Sequence, residues 1–257
     1  MKSRLLVPFF ALAGLILLVG LACGTVTTPT AQPPPPQIQP TQPPPIQIQP
    51  TQPPPTEAPT EAPTEAPAEA PVFFTEEFDG SIPDWTYFLQ HGDEEKMDLQ
   101  TDNGALVFNL TGTDLYVYLM YDPYIYTDVR IDVRADNRGK NSNSVSLVCR
   151  YSDEGWYEFN IGNDGLYQIY AYDILTGGGY QLLLNGGSTA IKSGRDVNEY
   201  TAICSGETLA LYINGIETKT FTEKRYRLRE GQVGIGVSSY DALPIIVNMD
   251  WVTISEP

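Results

Sequence analysis

The chain has 257 residues, 22 of them proline, and its 32 acidic residues outnumber its 15 basic residues, for a formal net charge of −17. Such an acidic protein repels nucleic acid and anionic membrane surfaces, so neither is expected as a partner. The single histidine, His91, and the lack of a Gly-x-Ser-x-Gly sequence argue against a nucleophilic triad or a zinc site.

Residues 1–22 resemble a bacterial lipoprotein signal peptide. Lys2 and Arg4 precede an apolar run that continues to the residue before Cys23. A membrane-anchored helix is the alternative, because the run has about the length of a transmembrane helix and Gly20 stands where such signals usually carry leucine. We expect lipidation of Cys23, which would hold an extracytoplasmic protein to the cell membrane by its N-terminal lipid.

Residues 23–71 begin with the proposed lipidation site and form a segment rich in Pro, Gln, Thr and Glu. A ten-residue unit at 32–41 is repeated at 42–51, and Thr-Glu-Ala-Pro units follow at 56–71. Such a composition buries too little apolar surface to fold, so a disordered stalk is predicted. Its prolines favour an extended chain that could reach on the order of 150 Å, enough to display a domain at the cell surface.

Residues 72–257 have the composition of one folded domain. Four acidic and two basic residues precede it, so it carries 28 acidic and 13 basic residues, a net charge of −15. Its apolar residues alternate with polar ones, as at Val129, Ile131 and Val133, and turn sequences such as Asn-Gly at 214–215 separate the runs. We predict an all-β, two-sheet antiparallel jelly-roll sandwich that is monomeric.

Two cysteines remain in the exported domain once Cys23 is set aside. Cys149 and Cys204 both lie in strand-like segments. In an oxidising compartment an even number of cysteines favours a disulfide, so a Cys149–Cys204 bond is predicted, with two buried free thiols as the alternative.

Four stretches, in this order and spacing, resemble the concanavalin A-like lectin/glucanase superfamily, particularly its laminin-G-like and 3-keto-disaccharide-hydrolase-like branches. The resemblance covers residues 73–255. The stretches are 74–80 with Trp85; 148–153 with 155–159 and 164–167; Asn198 with 204–206 and 211–215; and 231–236 with 248–254. It implies the sandwich fold, and it leaves function open because the fold hosts lectins, hydrolases and adhesive modules.

The acidic residues provide no recognisable catalytic pair. Glycoside hydrolysis needs two carboxylates, which glucanases of this fold often carry as Glu-x-Asp-x-x-Glu, and the sequence lacks this motif. The nearest clusters are Glu76, Glu77 and Asp79, and Asp153, Glu154 and Glu158. We expect solvated acids or an ion site there, and no residue is assigned as catalytic.

A structural calcium ion is a second implication of the resemblance. In many sandwiches of this superfamily the first and last strands lie side by side and share Ca²⁺, whose preferred ligands are carboxylate and carbonyl oxygens. Asp79 and Asp250 occupy those two positions here. The alternative is that both carboxylates accept hydrogen bonds from turns.

A groove for a glycan is predicted from strand alternation around residue 156. The apolar set of that strand is expected to face the core, which leaves the polar and aromatic set facing outward beside the next strand. The candidate ligand-binding residues are Arg150, Trp156, Glu158, Asn160, Tyr170 and Tyr172. The alternative is packing, since cross-strand aromatic pairs stabilise sheets.

Three functions remain open from the sequence. The first is a non-catalytic, lectin-like carbohydrate-binding domain displayed at the cell surface. The second is a glycoside hydrolase of the 3-keto-disaccharide type, and the third is a structural or protein-adhesion module.

Overall fold

The structure is a computed structural model that describes residues 70–175 and 178–257. The predicted signal peptide, the lipidation site Cys23 and residues 24–69 of the predicted stalk lie outside the described residues. Within the described residues no helix is long and apolar enough to cross a membrane.

Strands dominate the described part of the chain, which contains fifteen of them and one short 3₁₀ turn at Glu94–Lys96. In chain order they are β1 (Phe74–Glu76), β2 (Trp85–His91), β3 (Met97–Thr101), β4 (Leu106–Leu110), β5 (Tyr116–Tyr126), β6 (Val129–Asn137), β7 (Asn143–Ser152), β8 (Gly155–Gly162), β9 (Leu166–Asp173), β10 (Tyr180–Gly187), β11 (Val197–Ser205), β12 (Thr208–Ile213), β13 (Ile216–Thr222), β14 (Gly231–Ser239) and β15 (Ile245–Ser255).

The strands form two antiparallel sheets. The eight-stranded sheet has the order β13-β12-β11-β6-β15-β4-β3, and β1 pairs with the end of β15. The seven-stranded sheet has the order β10-β9-β8-β7-β14-β5-β2. Since the central pairs of both sheets, such as β6 with β15 and β7 with β14, join strands that are distant in sequence, the topology is that of a jelly roll, and the predicted all-β sandwich is confirmed.

Alternation places one apolar face of each sheet against the other. Val129, Ile131 and Val133 of β6 are buried in the shared core, and the charged residues between them face solvent, as predicted. The turn sequence at 214–215 forms a tight hairpin between β12 and β13, where Asn214 and Gly215 both have positive φ, as a two-residue hairpin turn requires.

A disulfide bond joins the two sheets. Cys149 of β7 and Cys204 of β11 are fully buried, their Cα atoms are 6.7 Å apart, and the two sulfur atoms are bonded. The predicted Cys149–Cys204 bond is therefore confirmed. It connects β7, the central strand of the seven-stranded sheet, to β11 of the eight-stranded sheet.

Candidate functional site

The outer face of the seven-stranded sheet carries a second buried cluster, separate from the core. Tyr118, Met120, Val148 and Trp156 are buried there, on the strand positions that alternate with core residues. Five partly buried aromatic residues pack around them, and we name the whole set the outer-face cluster: Phe88, Tyr116, Tyr151, Tyr172 and Tyr180 complete it. An outward sheet face is usually polar, so an aromatic one is a candidate binding surface.

Glycines of β14 make room for this cluster. A Cβ atom on Gly236 would lie 2.7 Å from Cδ1 of Tyr118, and one on Gly234 would lie 2.3 Å from Sδ of Met120. Because β14 lacks side chains at these two positions, the side chains of β5 lie directly over its backbone.

Beside the cluster lies a cavity of about 130 Å³, which we name the outer-face cavity. Its walls come from β5, β8, β9, β10 and the end of β14, so strands distant in sequence build it together. The lining residues are Tyr116, Tyr118, Glu158, Asn160, Tyr170, Tyr180, Ser238 and Tyr240. Five tyrosines and one carboxylate therefore meet at one opening.

Glu158 is the charged group of this cavity, and its side chain is almost fully buried, with 2% of the residue exposed. Its Oε2 accepts hydrogen bonds from the Tyr118 hydroxyl at 2.9 Å and the Trp156 Nε1 at 3.4 Å. Its Oε1 accepts from the Ser146 hydroxyl at 2.7 Å and the Asn160 Nδ2 at 3.3 Å. Four donors directed at one carboxyl group match its ionised form, which only accepts.

The tyrosine hydroxyls around Glu158 keep their protons. Burial, and then the charge of Glu158, raise the pKa values of Tyr118, Tyr170 and Tyr180 above the ordinary phenol value. The hydroxyls of Tyr118 and Tyr180 are 2.7 Å apart and share a hydrogen bond. The cavity therefore offers neutral ring faces and hydroxyl donors together with one acceptor-only carboxylate.

Three of the six predicted groove residues line the cavity together. Glu158, Asn160 and Tyr170 are brought to one opening, and β8 presents the outward set that alternation predicts. Their part in ligand binding remains a prediction.

Trp156 faces outward as expected, but its ring is covered. Tyr172 stacks on it with ring centroids 3.9 Å apart and an angle of 6° between the planes, and only 4% of Trp156 is exposed. The rings of Phe88 and Tyr180 lie nearly perpendicular to it, with centroids 6.1 Å and 6.3 Å away. For Trp156 and Tyr172 the packing alternative therefore describes the structure, and the two rings support the cavity wall beside Tyr180.

The prediction is wrong for Arg150, which is not on the outer face. Its φ is +57°, and β7 carries one extra residue at this point relative to β14, so a β-bulge reverses the alternation. The guanidinium group is 2% exposed and donates to the main-chain oxygens of Thr127 and Leu228. Arg150 thus ties two loops at the end of the sandwich, where its guanidinium lies 6.0 Å from the core ring of Tyr157.

Sequence reasoning missed five lining residues: Tyr116, Tyr118, Tyr180, Ser238 and Tyr240. The alternation of Tyr116 and Tyr118 with core residues of β5 is visible in the sequence. What the sequence does not show is that β14 pairs between β5 and β7, which brings β5 to the site.

The structure divides the acidic cluster of Asp153, Glu154 and Glu158 between two cavities. Asp153 and Glu154 line a separate cavity of about 460 Å³ together with residues 227–230, and Glu158 does not line that cavity. Glu158 is the one carboxylate among the residues that line the outer-face cavity.

The position proposed for calcium has a different arrangement. β1 and β15 pair as the prediction requires, but Oδ2 of Asp250 accepts from Nε of Arg134 at 2.9 Å, and Asp79 is exposed. In the described residues no group of three or more His, Cys, Asp or Glu side chains could hold a metal ion. The residues present do not fit the ion, and no role is derived from it.

No protein-family model matches the sequence, and no curated protein matches it by sequence. The structure resembles a GH16 protein from a Bacteroides ovatus mixed-linkage glucan locus bound to an oligosaccharide product (TM-score 0.53, 11% identity), covering 71% of this chain and 99% of that one. The fold is the concanavalin A-like jelly roll. Identity at this level shows the fold alone.

Two further jelly rolls differ in what they do. The carbohydrate-binding module CBM66 from Bacillus subtilis has a TM-score of 0.51 and 11% identity, and covers 67% of this chain and 96% of that one. A β-1,3-1,4-glucanase from a mouse hindgut metagenome has a TM-score of 0.54 and 14% identity, and covers 72% of this chain and 99% of that one. Among these similar structures, the jelly roll is therefore found both in a carbohydrate-binding module and in a glucanase.

Proposed function

We propose that this protein binds a carbohydrate at the outer-face cavity without cleaving it. The observation that carries the proposal is the lining itself, in which tyrosines surround one buried carboxylate. Tyrosine rings pack against the apolar face of a sugar ring, while their hydroxyls and Asn160 pair with sugar hydroxyls. The similarity to a carbohydrate-binding module and to glucanases supports the same class of ligand.

The chemistry of the cavity supports binding over hydrolysis. Glycoside hydrolases position two carboxyl groups about 5–5.5 Å apart for retention and about 6.5–9.5 Å apart for inversion. The cavity lining supplies Glu158 and no second acid, and Glu158 already accepts four hydrogen bonds from neutral donors. A glycoside hydrolase is the second candidate, supported by the glucanase neighbours, and the 3-keto-disaccharide type is the form of it that the sequence resemblance suggests.

Tyr170→Ala is expected to weaken glycan binding by about tenfold or more, because it removes a ring from the cavity wall. The full chain and the variant are compared on an array of glucans, laminarin, cello-oligosaccharides and chitosan, and the Kd of the strongest ligand is then measured. Tyr212→Ala is the matched control, since Tyr212 is a half-buried tyrosine of the eight-stranded sheet.

Equal binding by wild type and Tyr170→Ala would contradict the location of the site. Release of new reducing ends from an array glycan, abolished in Glu158→Gln, would support the hydrolase instead. A lack of binding to every glycan on the array, together with capture of a protein partner, would favour the adhesion module.

We further propose that the domain is displayed at the cell surface by a lipid on Cys23. The basic start and apolar run before that residue support this. Cells fed a labelled fatty acid are expected to incorporate the label into the wild-type protein and to lose it in Cys23→Ser. Label that persists in the variant would contradict the lipid anchor.

A further inference from the structure

The charge of Glu158 has no cationic partner among the described residues. The ion pairs of the structure involve other carboxylates, and the hydrogen bonds to Glu158 come from hydroxyl, amide and indole groups. The lining of the outer-face cavity includes no lysine, arginine or histidine. A buried charge is costly unless it is compensated, so a positively charged ligand would provide the countercharge that no side chain provides.

Tyrosine rings surround the space above this carboxylate. The Tyr180 ring lies 5.4 Å from that of Tyr170 at 69° and 6.4 Å from that of Tyr116 at 83°. Near-perpendicular rings form adjoining walls of one cavity rather than a single flat platform. The negative face of an aromatic ring attracts an organic cation, and the attraction grows when water is excluded.

We propose that the group that enters the outer-face cavity is an organic ammonium. This inference rests on the proposed function, within which it names the ligand as a sugar that carries a free, protonated amino group. The domain charge of −15 favours a cation over an anion near the protein surface.

The electrostatic field of Glu158 reaches the cavity walls. Burial is the largest cause that raises the pKa values of Tyr116 and Tyr170. The Glu158 carboxylate raises the pKa of Tyr170 next, and for Tyr116 it adds to the larger effect of Asp114. The same negative potential that disfavours a phenolate favours an ammonium group between the rings.

A metal cation fits this cavity less well than an ammonium group. Ca²⁺ and Mg²⁺ require six or more oxygen ligands, and the four hydrogen bonds to Glu158 already occupy its oxygens. An ammonium group gains from ring faces and from a carboxylate that it does not touch.

Calorimetry on the full chain at about pH 6, where a sugar amine is protonated, tests the proposal. The sugar probes are the glucosamine disaccharide, its di-N-acetyl form and cellobiose. Choline and its uncharged isostere 3,3-dimethylbutan-1-ol test the ammonium group without a sugar. Each charged probe is expected to bind about tenfold more tightly than its neutral partner.

Glu158→Gln and Tyr170→Leu are expected to remove this preference. Glu199→Gln, which deletes the same charge from the eight-stranded sheet, is expected to retain it. Tyr170 is half-buried at the rim, so its variant keeps the test valid if the Glu158 variant does not fold.

The outcomes separate the inference from the proposed function. Equal binding of charged and neutral sugars would overturn the proposal that the ligand carries an ammonium group and would leave carbohydrate binding intact. A preference for choline over its isostere, with no sugar bound, would support the ammonium group and overturn carbohydrate binding. No binding of any probe would overturn both.

Discussion

Replacing Cys149 and Cys204 together by alanine is expected to lower the free energy of unfolding by about 4 kcal/mol. The two residues are 55 positions apart and join the two sheets, so the bond removes much of the loop-closure entropy of the unfolded chain. Both cysteines are fully buried in the core, so water does not reach the site to offset the loss of the bond. Urea unfolding of wild type and variant measures the difference.

The control for this prediction is the wild-type protein in reductant. It is expected to lose most of the same stability, because it keeps both side chains and lacks only the bond. A loss below about 1 kcal/mol in the alanine variant would contradict a bond that connects the sheets.

Replacing Trp156 by alanine is expected to cost about 3–5 kcal/mol of stability. The side chain is 4% exposed, stacks on Tyr172 at 3.9 Å and contacts Phe88 and Tyr180, so its removal leaves a void in the outer-face cluster. Thermal and urea unfolding measure the effect. Trp251→Ala is the matched control, and its loss is expected to be smaller because Trp251 is only half-buried.

This variant separates packing from direct ligand contact. If Trp156 were an exposed platform for a sugar ring, its removal would abolish glycan binding with little loss of stability. We expect the opposite: the main effect is a loss of stability, and glycan binding is weakened only indirectly, because Tyr180 loses its support.

Alternation along single strands was sufficient to predict much of the fold and part of the site. Trp156, Glu158 and Asn160 face outward because Tyr157 and Phe159 between them are core residues. That inference uses one strand and its period of two, and it needs no knowledge of the neighbours.

The remaining features depend on events that a single strand does not encode. One extra residue in β7 turns Arg150 away from the outer face, and the residue types around position 150 do not reveal this bulge in the sequence. Tyr116 and Tyr240 reach the cavity because β14 pairs between β5 and β7, a long-range choice. Whether Trp156 is exposed depended on Tyr172, whose ring orientation is decided by packing.

Nuclear magnetic resonance of ring-labelled tyrosines in the full chain, titrated with the glycan that binds most tightly on the array, locates the ligand directly. The ring signals of Tyr116, Tyr170, Tyr180 and Tyr240 are expected to shift, the signal of Tyr212 to stay unchanged, and the glycan to be recovered intact. Shifts confined to Tyr212, or a shortened glycan, would contradict non-catalytic binding at the outer face of the seven-stranded sheet.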